Sequence, residues 1–237
     1  SVVADEAGNL YAVATFGNVS SAPLEMPLKD GSSTSLAVTN NWGEDYLLVK
    51  FNKDGEILWA TSIGSKFREN GTPDVTVGED GNPVICGVFN AANGNLMNES
   101  EEKREFYIGE QKYLLYPEQS KESALVKLNS TDGSVMWSRY FTGTGNQEVL
   151  KVQAVSGSNA VAVTGKANNQ IIVEGSAGLS TETVTHVSGA DHLFVISFDV
   201  DGKLLWSKSA SGDTSSEGKE ISSDDLGNIY VSGYFNG

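Results

Sequence analysis

One phrase occurs three times in this chain and constrains its fold more than any bulk property. An apolar run leads to an Asp-Gly turn, and a second apolar run ends in Trp. The copies are DYLLVKFNKDGEILWA (Asp45 to Ala60), SALVKLNSTDGSVMWS (Ser123 to Ser138) and DHLFVISFDVDGKLLWS (Asp191 to Ser207). The interval from Gly to Trp is the same each time, from Gly55 to Trp59, Gly133 to Trp137 and Gly202 to Trp206. A second phrase follows each Trp after a polar, Gly-rich loop: DVTVGEDGNPVICGVF (Asp74 to Phe89), VLKVQAVSGSNAVAVTG (Val149 to Gly165) and EISSDDLGNIYVSGYF (Glu220 to Phe235). It also opens the chain as SVVADEAGNLYAVATF, with Asn9 in the turn. A fixed period of this kind marks a repeat architecture.

Each phrase is a hairpin by its own chemistry. Asp-Gly and Gly-Asn accept the positive φ of tight turns, and the Val, Ile, Leu, Phe and Tyr around them suit a pleated, half-buried surface. No stretch holds apolar residues at helical spacing over three turns, so the chain is expected to be all-β. Two hairpins in succession make a four-stranded antiparallel unit, with the Gly-Asn phrase as inner pair and the Trp phrase as outer pair. A unit of roughly 45 residues is the scale of one β-propeller blade. The expected blades run from Ser1 to Ile63, Gly64 to Tyr140 and Phe141 to Ser209, with a half-blade from Ala210 to Gly237.

The repeat resembles the bacterial β-propeller repeat family often called SBBP, whose units run roughly DAFVAKLDPDGNLLWS … GIAVDSDGNIYVTGYF. The matching residues are Asp191 to Phe198, Asp201 to Trp206 and Asp225 to Phe235, with weaker matches in the earlier copies. The resemblance implies one blade per repeat and transfers no catalytic residue. Propellers close with about four to eight blades. A chain that begins and ends on the same half-blade is therefore expected to be part of a larger ring. The alternative is an open arc whose strand edges invite self-association.

Between the inner and outer hairpins lie extra segments, Gly17 to Glu44, Asn90 to Glu122 and Ala167 to Ala190. Each holds a hairpin of its own: SAPLEMPLKDGSSTSLAVT, REFYIGEQKYLLYP and QIIVEGSAGLSTETVTHV. These are expected to extend each blade and, as loops on a scaffold, to be where recognition evolves.

Thirty-one acidic against sixteen basic residues give a formal charge of −15, which repels phosphate backbones and argues against a nucleic-acid partner. No apolar run approaches the length of a membrane span. The single Cys86 stands in an apolar strand, where a thiol acts as a small hydrophobe. No signal peptide is visible at Ser1, where a trimmed start would hide one. Scarce Cys with abundant Ser, Thr, Asn and Gly fits a secreted, periplasmic or cell-surface protein.

Few constellations carry legible chemistry. The turns from Asn52 to Gly55, Asn129 to Gly133 and Asp199 to Gly202 resemble calcium loops but lack the further oxygen ligands, and hairpin chemistry accounts for them. His186 and His192 match no zinc spacing, so no metal and no cofactor are expected. Gly165-Lys166 lacks the spacing of a phosphate loop. The triplets at Asn18, Asn98 and Asn129 are read as accidental glycosylation matches. Trp59, Trp137 and Trp206 occupy equal places in the repeat, which points to rings that seal one blade against the next. Trp42 lies outside the repeat, in an insertion. With Tyr107, Tyr113 and Tyr116 it forms the candidate aromatic contact site, the alternative being that these residues cap a blade edge. The expectation is a non-catalytic binding or scaffold module for a glycan or protein partner. Two rivals are a glycan hydrolase or lyase with acidic residues at a central channel, and an assembly element that pairs through open edges.

Overall fold

The computed structural model describes residues 1–17, 23–36, 44–65, 71–90, 105–109, 111–114, 121–176, 179–184, 189–210 and 214–236. Among them there are twenty strands and no helix. The all-β expectation holds.

In chain order the first repeat contributes Val2–Ala4 (β1), Leu10–Gly17 (β2), Leu24–Pro27 (β3), Ser33–Leu36 (β4), Glu44–Phe51 (β5) and Ile57–Ser65 (β6). The second gives Asp74–Val77 (β7), Pro83–Asn90 (β8), Glu105–Ile108 (β9), Gln111–Leu114 (β10), Lys121–Leu128 (β11) and Val135–Thr142 (β12). The third gives Gln147–Val155 (β13), Ala160–Ala167 (β14), Ile171–Gly175 (β15), Glu182–Val184 (β16), His192–Phe198 (β17) and Leu204–Ser209 (β18). Ser216–Ser223 (β19) and Ile229–Phe235 (β20) follow. The antiparallel sheets run β1-β2-β5-β6-β9-β10, β7-β8-β11-β12-β15-β16, β13-β14-β17-β18 and β19-β20, with β3-β4 as a separate pair. Within each of the first three sheets the Gly-Asn hairpin is therefore followed by the two strands of the Trp hairpin.

The insertion hairpins behave differently from expectation. Those of the second and third repeats do not extend their own repeat. The β9-β10 hairpin pairs with β6 of the preceding repeat, Ile63 opposite Ile108 and Ser65 opposite Phe106. The β15-β16 hairpin pairs in the same way with β12, Arg139 opposite Gly175 and Thr142 opposite Ile172. The second and third repeats thus each hand a hairpin back and cover the edge strand of the sheet before it, an edge that would otherwise present unpaired backbone groups. The β3-β4 hairpin of the first instead meets its own repeat, the Lys29 amide donating to the Ile57 carbonyl at 2.8 Å. Phe106 then enters the space between sheets and meets Phe89 edge-on with ring centroids 4.6 Å apart, and Tyr140 at 5.9 Å.

Successive sheets pack face to face, so the core lies in seams between them. One seam gathers Tyr11, Leu48, Trp59 and Ile63 from the first sheet against Val75, Ile85, Val126 and Leu128 from the second. The next gathers Val84, Cys86, Leu125 and Trp137 against Val152, Val163, Phe194 and Phe198. A smaller one joins Val155, Ala160 and Ala162 to Ile221. The second sheet is buried on both faces, which explains why β11 is apolar at successive positions where a half-buried strand would alternate.

Cys86 sits in the second seam, fully buried. Burial pushes its thiol well above the ordinary range, and the charge of Asp74 adds to this. The thiol is expected to stay unmodified by a water-soluble disulfide reagent in the native protein and to react once denaturant is added. Fast labelling of the native chain would contradict the packing.

Candidate functional site

The seams carry a repeated latch built from the Trp phrase. On β5 and β6, Lys50 stands opposite Trp59, and on β11 and β12, Lys127 stands opposite Trp137. The strand register shifts immediately after each pair. Trp59 Nε1 and Lys50 Nζ both donate to the Ser130 carbonyl in the next repeat's turn, at 3.0 and 2.7 Å. Trp137 Nε1 and Lys127 Nζ both donate to the Val200 carbonyl, at 2.9 and 3.1 Å. The turn's glycine lies flat on the indole. A Cβ on Gly133 would stand 2.9 Å from the Trp59 ring and one on Gly202 2.8 Å from that of Trp137. Both glycines also hold positive φ, +74° and +80°, so no other residue meets both demands.

The ammonium groups of the latch are balanced within their own sheets. Lys127 lies 2.6 Å from Asp80. Burial pushes the Asp80 carboxyl up, but donors from Lys127 and Asn82 outweigh it, and the group sits below the ordinary carboxylate range. Lys50 lies over the Tyr11 ring at 5.1 Å and is drawn to Asp5; burial nonetheless lowers its pKa.

Arg139 has no counterpart among these pairs. Its fully buried guanidinium donates from Nε to the Gly202 carbonyl at 2.5 Å and from Nη1 to that of Ser180 at 2.6 Å. Nη2 lies 3.8 Å from Glu182, and the group stacks over Phe198 at 5.6 Å. Burial lowers its pKa, while Glu182 and Asp199 pull it back up. One side chain on β12 therefore ties the handed-back hairpin to the following repeat.

Lys151 of β13 stands between Asp74 of β7, at 3.9 Å, and Glu220 of β19, at 3.5 Å. On β14, Lys166 faces Glu148, Asp191 and Glu217 at 3.7, 3.6 and 3.6 Å. Glu217 also receives Lys219 and the Tyr234 hydroxyl, each at 2.6 Å. Burial raises the Glu217 carboxyl, but Lys219, Tyr234 and Lys166 together bring it below its ordinary value. The unfolded chain takes up this proton near pH 4.3, the folded chain only at lower pH. Its contribution to stability is thus present above the unfolded pKa and lost as pH falls through the folded one. The urea midpoint is expected to fall from pH 6 to pH 3, with Glu217→Gln showing a shallower dependence. An identical pH slope in the variant would contradict this.

The remaining candidates are placed as follows. Trp42, Tyr116 and His186 lie outside the described residues. Tyr113 is described only in its backbone, opposite Phe106. Tyr107 is half-buried on β9, opposite Gly64. His192 is buried at the start of β17. Among the described residues no group of three or more His, Cys, Asp or Glu is disposed around a metal position. In the turns, Asn52 Oδ1 accepts from the Asp54 and Glu56 amides, and Asp199 Oδ1 from those of Asp201 and Lys203, so these side chains serve their own hairpins. No helix of the described residues is long and apolar enough to cross a membrane.

The third tryptophan breaks the pattern. Trp59 and Trp137 are 7 % and 6 % exposed, whereas Trp206 is 38 % exposed. Leu205, Leu226, Tyr230, Tyr234 and Phe235 are exposed as well. Sequence reasoning passed over this face, although the shared spacing of Asp5, Asn9 and Tyr11 with Asp224, Asn228 and Tyr230 was a signal available for it. No protein-family model matches the chain, and no curated protein matches it.

Proposed function

We propose that the chain is a β-propeller repeat module of the SBBP type, acting without catalysis as a binding or scaffold element for a glycan or protein partner at or beyond the cell surface. The observation that carries this reading is the seam latch, repeated from one sheet to the next with the same Lys, Trp, carbonyl and Gly. Such a device spends the chain's buried polar groups on holding sheets together. Equal steps between four-stranded inner-and-outer units are what a propeller requires.

The ion pairing of three acidic residues supports a non-catalytic role. A glycosidase needs one carboxyl kept protonated by a raised pKa beside a second carboxylate. Glu217 is instead held below its ordinary value, and Asp74 and Glu220 share the Lys151 ammonium. The test is a glycan and protein-binding screen run beside turnover assays on polysaccharides. Saturable binding without turnover is expected. Turnover lost on removal of a carboxylate at the inner strands, with no binding partner found, would overturn the reading.

A further inference from the structure

The two handed-back hairpins differ in how they are held. Strand β15 pairs with β12 from Thr142 to Arg139, and its chain continues alongside, the Ser176 amide donating to the Ser138 carbonyl at 3.0 Å. Arg139 then ties the segment that follows through the Ser180 carbonyl, at 2.6 Å. Strand β9 pairs with β6 only from Ser65 to Ile63 and turns back at Gly109, whose amide donates to the Ser62 carbonyl at 2.7 Å. Thr61 occupies the place of Arg139, two positions after its tryptophan, and brings no guanidinium to bridge strand and hairpin.

What the β9-β10 hairpin brings instead is an anchor. Phe106 is fully buried and Ile108 nearly so, both on one side of β9, while Tyr107 between them is half-buried on the other. Phe106 packs on Phe89 of β8 and Tyr140 of β12, and Phe89 in turn meets the Tyr46 ring of β5 edge-on at 5.3 Å. The pocket walls thus come from two sheets and not from the hairpin. A hairpin of two four-residue strands has no core of its own, so docking is what orders it. A strand added to a sheet edge, with alternate side chains in pockets, is also how extended peptides are recognised.

We propose that the β9-β10 hairpin is a displaceable strap, occupying in cis a groove that accepts an extended strand of another polypeptide. The groove is the β6 edge from Ser62 to Ser65, with the pocket of Tyr46, Phe89 and Tyr140 beside it. The partner strand runs antiparallel to β6 and presents an aromatic residue, one variable residue and a branched aliphatic one, as Phe106, Tyr107 and Ile108 do. The longer pairing and the Arg139 tie of β15-β16 restrict this role to β9-β10. The partner chemistry comes from the hairpin's own contacts, not from the binding role proposed above.

The probe is a labelled synthetic peptide of residues Glu105–Leu114, titrated by fluorescence anisotropy into the 237-residue chain and into its Phe106→Ala variant. The variant's own strap has lost its anchor, so it is expected to bind the peptide about tenfold more tightly than the unaltered chain does. A peptide that itself carries Phe106→Ala is expected to bind the variant about tenfold more weakly than the unaltered peptide. In the unaltered chain without peptide, the Gly109 amide is expected to exchange at least about tenfold faster than the Ser176 amide. Equal peptide binding by the two chains would overturn the proposal, as would no binding to the folded variant at millimolar peptide. Should the variant fail to fold, the exchange rates decide, and a Gly109 amide as slow as that of Ser176 would overturn it.

Discussion

Replacing Trp137 with Ala is expected to cost about 3–5 kcal/mol of stability, while the same replacement at Trp206 costs about 1 kcal/mol or less. The two residues have the same place in the same phrase. Only Trp137 is sandwiched, with its indole nitrogen on the Val200 carbonyl and Gly202 against its ring. Truncation there leaves a cavity in the seam and takes one donor from a carbonyl it shares with Lys127. Trp59→Ala should resemble Trp137→Ala, since Trp59 meets Ser130 and Gly133 in the same way. Urea denaturation of the three variants ranks them. Equal losses at all three would mean that the phrase stabilises its own hairpin and not the joint between repeats.

Arg139→Ala carries the second large effect, again about 3–5 kcal/mol. The side chain is fully buried and donates to the Gly202 and Ser180 carbonyls, so its removal strands acceptors that water does not reach freely. Arg139→Met restores volume without donors and is expected to recover only a minor part. Arg139→Lys supplies charge but not the planar fork that serves two carbonyls and Glu182 at once, and is expected to fall between. Near-wild-type urea midpoints for Arg139→Ala would show that the β15-β16 hairpin docks without this tie.

Local chemistry was legible in the sequence. Asp-Gly and Gly-Asn turns located the hairpins because a turn's backbone depends on the residues inside it, and Gly55, Gly133 and Gly202 all hold the positive φ those dipeptides implied. Cys86 was legible as a core residue from its apolar neighbours. The handing-back of β9-β10 and β15-β16 was not, because the choice between two sheet edges is made by distant strands, β6 and β12. Arg139 reads in SRYF as an ordinary polar position on a strand, and only the turn at Gly202 and the segment at Ser180 bury it. Trp206 was read as equal to Trp59 and Trp137 for the same reason. The phrase places the ring, but the next repeat decides whether it is covered.

The most direct test of the account is a nuclear Overhauser measurement from the indole Nε1 protons of the three repeat tryptophans. Cross-peaks from Trp59 to Gly133 and from Trp137 to Gly202 are expected, with both glycine α-protons shifted upfield by the ring and both indole protons slow to exchange. The Trp206 indole proton should exchange fast and show no glycine partner. Contacts confined to each tryptophan's own hairpin, or three indoles of equal exchange rate, would contradict the claim that this phrase latches each repeat to the next.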